Sequence, residues 1–81
     1  MLAYSFNDCR ELQKVFSCGH STIYIRIQSR LLTSPVKYGN KSLWPAEEIE
    51  ALAKAVAAGL ADDEIRVLVL RLEEQRGDFF E

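Results

Sequence analysis

Ser21, Thr22, Tyr24, Arg26, Ser29 and Arg30, followed by Lys37 and Lys41, are the residues of this chain whose types and spacing suit chemistry with a polyanion. Hydroxyls and free backbone N–H groups at the start of a helix donate to phosphate oxygens, and the helix dipole favours the negative charge there. An arginine on the same helix reaches either a phosphate or a guanine edge in the major groove. Two lysines around Gly39-Asn40 place positive charge at a hairpin tip, where it meets phosphates or enters the adjacent minor groove. With His20 and Ile25 from the same stretch, the candidate DNA-binding set is His20, Ser21, Thr22, Tyr24, Ile25, Arg26, Ser29, Arg30, Lys37 and Lys41. Plainer uses compete: helix capping for Ser21 and Thr22, packing between two helices for Tyr24, and a solvated surface for Arg26 and Arg30.

Catalysis finds no comparable support. His20 is the single histidine, and a Ser–His pair one residue apart lacks the third group that orients a triad. The carboxylates gather in first helical turns, where capping accounts for them, and no Gly-rich phosphate loop occurs. Cys9, Cys18 and His20 fall short of the four ligands of a structural zinc, so buried free thiols are expected. The expectation is a non-enzyme with no metal and no cofactor.

The scaffold for these residues comes from the rest of the chain. Its 81 residues suffice for one small domain. The net charge of −2 hides an asymmetry. Arg10, Lys14, Arg26, Arg30, Lys37 and Lys41 face only Glu11 between positions 10 and 41, whereas acids dominate from Ser42 onward. A basic half joined to an acidic half suits a module with one DNA-facing side. No apolar run is long enough for a bilayer, and the N-terminus lacks the regions of a signal peptide, so a cytoplasmic, nucleoid-associated protein without membrane contact is expected.

A first helix is predicted from Asn7 or Asp8 to Phe16, with Asn7 able to cap it and Leu12, Val15 and Phe16 as its apolar stripe. Ser17 to His20 form a turn in which Gly19 either caps the next helix or takes positive φ. The second helix covers His20 or Ser21 to Ser29, with Ile23 and Ile27 inward, Tyr24 and Arg26 on the flanks, and Ser21, Thr22, Ile25, Gln28 and Ser29 outward. Two short strands, Val36–Tyr38 and Lys41–Leu43, surround Gly39-Asn40. Pro45 opens a third helix with Ile49, Leu52, Ala53 and Val56 inward, and Gly59 ends it. A fourth runs from Asp62 to Gln75 with Ile65, Leu68, Val69 and Leu72 inward. Val67 and Leu70 lie off that stripe and serve either a partner or extra burial, and the Phe79-Phe80 tail has no pattern. The fold class expected is mainly α with a small β-hairpin wing: a winged helix-turn-helix plus C-terminal helices, as one domain over 1–81.

Three segments carry a resemblance: Ser21-Thr22-Ile23-Tyr24, Pro35-Val36-Lys37-Tyr38-Gly39, and Trp44-Pro45-Ala46-Glu47-Glu48-Ile49-Glu50-Ala51. In this order and spacing the chain from Asn7 to Leu72 resembles the AlpA-like regulators and excisionases, small winged-helix relatives of the MerR DNA-binding domain. The stretch Ala57 to Arg66 is similar to a subset of them. The resemblance implies a helix from Ser21 in the major groove of double-stranded DNA and a Lys37–Lys41 wing. It implies two jobs: transcriptional regulation of an integrase operon, and recombination directionality through bending of attachment-site DNA, with an integrase as partner. The family usually has arginine after the Ser-Thr-Ile-Tyr run, where this chain has Ile25; either Arg26 takes over from the flank or Ile25 touches a thymine methyl. Leu32-Thr33 stands where the family often has Phe-Pro.

A module this small buries limited surface on DNA, so cooperative binding of several copies is expected. The rival from another class is a protein-interaction adaptor, in which the acidic helix from Asp62 and the Phe79-Phe80 tail grip a protein partner and the scaffold binds no DNA.

Overall fold

Asp8 and Glu11 exchange hydrogen bonds of 2.9 Å, Glu11 N–H donating to Asp8 Oδ1 and Asp8 N–H to Glu11 Oε1, and this capping box opens the first helix. The computed structural model describes residues 5–76. Their order is β1 (Phe6–Asp8), α1 (Cys9–Phe16), α2 (His20–Gln28), β2 (Val36–Tyr38), β3 (Lys41–Pro45), α3 (Ala46–Ala57) and α4 (Asp62–Gln75). The cap of α1 is Asp8, not Asn7. Asn7 lies in β1, a strand the sequence pattern does not signal, because three residues are too few for alternation and their stability comes from a distant partner.

That partner is β3. The antiparallel sheet has the order β1-β3-β2, with Asn7 opposite Trp44 and Lys37 opposite Ser42. Ala46 N–H donates to Ser5 O at 2.9 Å and prolongs the first pairing. Pairing with β1 carries β3 two residues past the expected end at Leu43. Pro45 therefore closes a strand and stands at the N-cap of α3, not in its first turn. Around the hairpin turn only Gly39 takes positive φ, 61°, the pattern of a type II′ turn, so Asn40 does not need it. In the α1–α2 turn Gly19 is an extended N-cap, and the left-handed residue is Ser17 at φ 52°.

Strand alternation sends Trp44 into the core and Leu43 and Pro45 to the opposite face of the sheet. Trp44 is fully buried among Leu12, Ile23, Leu32, Ile49, Leu52, Ala55, Ile65 and Val69. Burying one such aliphatic side chain contributes about 1.5–3 kcal/mol, which makes this cluster the main stabilising element. The inward stripe of α3 is Glu48, Ile49, Leu52 and Ala55; Val56 is half exposed and Ala53 only partly covered, because α3 is turned toward both the sheet and α4. Val15 is likewise exposed on α1. α4 spans the expected Asp62–Gln75, with Ile65 and Val69 buried and Leu68 and Leu72 packed against them.

One charge goes inside. Glu48, only 5 % exposed, receives Arg76 Nε and Nη2 on its two carboxylate oxygens, both at 2.7 Å. The described residues form an α-rich domain of four helices and a three-stranded antiparallel sheet that contains the hairpin β2–β3. Among the described residues no helix is long and apolar enough to cross a membrane. The Phe79-Phe80 tail lies outside the described residues.

Candidate nucleic-acid interface

Gly19 feeds α2 without a side-chain cap, and no carboxylate stands in the helix's first turn. The N–H groups of that turn are thus left for an outside acceptor. Ile23 is buried and Ile27 packs against the core, so the opposite face carries Ser21, Ile25 and Ser29 one turn apart with Thr22 beside them. Ile25 is 59 % exposed, an apolar residue in the middle of a polar row. His20 and Tyr24 form a tilted ring pair, centroids 4.9 Å apart, along one flank of the helix. Among the described residues the aromatic neighbour of Tyr24 is therefore on its own helix.

Arg26 is exposed on the other flank, beside a cleft lined by Phe16, Leu31, Val56 and Asp62. It does not share the outward row with Ser21 and Ile25. Ser29 is the C-cap residue, half-buried, and its carbonyl accepts from Arg66 Nε at 2.9 Å. Arg30 follows in the left-handed region, φ 63°, and lines a cleft of about 230 Å³ with Gln28, Arg66, Leu70 and Glu73.

Lys37 and Lys41 are both exposed on the hairpin. Lys37 Nζ donates to Ser42 Oγ at 2.8 Å, directly across the ladder, which orders the ammonium without neutralising it. No carboxylate occurs from Val36 to Ser42. The hairpin is therefore uniformly positive, and α2 joins it through residues 29–35.

This connector is held from outside. Trp44 Nε1 donates to Thr33 O at 2.7 Å. Ser34 N–H donates to Glu73 Oε2 and Ser34 O accepts from Arg76 Nη2, each at 2.7 Å. With Arg66 on Ser29, three α4-side groups and one indole fix the segment between helix and hairpin. Such over-determined placement is what a two-part binding surface requires of its scaffold.

Sequence reasoning passed over two residues on these surfaces. Arg66 is separated from Ser29 by 37 positions, so no local signal could have brought it to α2. Tyr38, 75 % exposed beside the hairpin turn, was legible: in a strand that alternates, it stands opposite Lys41 on the face away from Trp44. Cys9 and Cys18 are free thiols, with Gln13 Nε2 3.6 Å from Cys9 Sγ, and no three potential metal ligands converge among the described residues. Scans of the chain against protein-family models, curated proteins and solved structures returned no match.

Proposed function

We propose that this chain is a winged-helix protein of the AlpA-like and excisionase type that binds double-stranded DNA. α2 enters the major groove through Ser21, Thr22, Ile25 and Ser29, and the hairpin acts as a wing through Lys37 and Lys41. His20, Tyr24, Arg26 and Arg30 border the contact. One observation carries the reading. Two helices joined by a three-residue turn are followed, across a braced connector, by a hairpin with two lysines and no carboxylate. Helix N–H groups and lysines supply phosphate contacts, and Ile25 suits a thymine methyl.

On this reading the protein works in the nucleoid without enzymatic activity of its own. Several copies bind neighbouring sites and bend an attachment site or control an integrase operon, with the integrase as partner. The test is selection of fragmented source DNA by the purified protein, followed by sequencing of what it retains. Enrichment of repeated sites near an integrase gene supports the directionality role, and promoter sites alone support the regulatory one. Absence of any retained duplex at low salt refutes DNA binding. It would leave the adaptor reading, which the exposed Val67 and Leu70 on acidic α4 favour as a protein-binding strip.

A further inference from the structure

Among the described residues Tyr38 is the most exposed of the large apolar side chains, and it contributes nothing to the core cluster. It ends β2, directly before the turn at Gly39, and stands opposite Lys41. Lys37 precedes it with its ammonium ordered by Ser42. The phenol ring thus stands on the Lys41 face at the tip of a hairpin without carboxylates, and Lys37, paired with Ser42, carries its charge on the other face. On the same face of the sheet, Phe6 and Leu43 join Tyr38, Gly39, Asn40 and Lys41 around an open cleft. Exposure of an aromatic at such a tip has no structural return within the described residues.

Its surroundings are those of a nucleic-acid stacking element. Lysines near an exposed aromatic attract the phosphate backbone while the ring meets base faces. Apolar wedges that enter the minor groove between base steps unstack them and kink the duplex. We propose that Tyr38 is such a wedge: the wing lysines seat the hairpin on duplex DNA, and the Tyr38 ring inserts at a base step and bends it. This rests on the DNA-binding reading above and assigns the bending to one side chain.

The physical consequence separates grip from deformation. Stacking of the ring offsets the unstacking of the base step, so net affinity changes little while geometry changes much. Because removing the ring removes no charge, the number of neutralised phosphates stays the same.

The experiment uses the full chain and a duplex of about 30 base pairs labelled with a dye at each end, taken from the sequence most enriched in the selection above or, without enrichment, A·T-rich. Wild-type protein is expected to shorten the end-to-end distance. Tyr38→Ala is expected to bind within about tenfold of wild type, with an unchanged salt slope, yet leave the duplex nearly straight. Tyr38→Phe keeps the ring and is expected to bend as wild type does. Equal bending by Tyr38→Ala overturns the proposal, as does straight DNA with Tyr38→Phe or with wild-type protein at saturation. A wild type that binds no duplex at low salt overturns the DNA-binding reading itself, and the wedge with it.

Discussion

Replacing Arg76 by alanine removes three hydrogen bonds of 2.7 Å, two to the Glu48 carboxylate and one to Ser34 O. The larger loss is what remains. Glu48 is 5 % exposed and is left as a carboxylate without its guanidinium. Removing one partner of a buried pair costs about 3–5 kcal/mol. Two effects reduce this. Glu48 sits in the first turn of α3, where the helix dipole recovers about 0.3–1 kcal/mol, and the Arg76 side chain, at 25 % exposure, is partly screened. The expected loss is about 2–4 kcal/mol, a large share of the roughly 4–12 kcal/mol available to a domain of this size. Trp44, the single tryptophan and fully buried, reports unfolding by fluorescence. With a urea slope of about 1 kcal/mol per M, the midpoint should fall by about 2–4 M, or the domain should be unfolded before urea is added. Glu48→Gln is expected to cost less, because Arg76 can turn to water. Combined with Arg76→Ala it should restore part of the stability, because the buried charge is gone. A loss below about 0.5 kcal/mol for Arg76→Ala, or a double variant no more stable than it, would mean that Glu48 does not depend on Arg76 for its burial.

Three further substitutions test other parts of the account. Thr33→Val should stabilise by about 1 kcal/mol in urea unfolding, because Thr33 Oγ1 is buried without a hydrogen-bond partner among the described residues and the methyl fills the same volume. Ser17→Gly should stabilise by about 1 kcal/mol in the same assay, since φ 52° burdens any residue with a Cβ. Lys37→Ala should weaken binding across all duplex sequences and flatten the salt slope by about one unit in a titration of affinity against salt.

Sequence legibility followed locality. α4 was readable to its ends because Asp62-Asp63-Glu64 mark its first turn and the Ile65–Val69 stripe holds one period. The hairpin was readable because Gly39 announces its turn. β1 was not, since Phe6-Asn7-Asp8 become a strand only where β3 passes. The choice of Ala55 over Val56 at the α3 interface was equally hidden, because the direction in which a helix faces is set by its neighbours and not by apolarity alone. At the candidate interface the residue types of α2 and the hairpin could be read directly. The bracing of the connector could not, because the connector contributes only backbone atoms to it, which no residue letter distinguishes.

That last property bears on how such a surface can change over evolutionary time. Ser29 and Thr33 are held through their carbonyls, and Ser34 through both its N–H and its carbonyl. Every residue type supplies a carbonyl, and all but proline an N–H. Side chains along the outward part of the connector are therefore released from any duty to hold it. Mutational drift at positions such as Ser29 and Ser34 can explore new contacts without altering the angle between helix and hairpin, whereas drift at Trp44, Glu73 or Arg76 cannot. The molecule keeps its geometry in one set of positions and leaves its vocabulary of contacts to another.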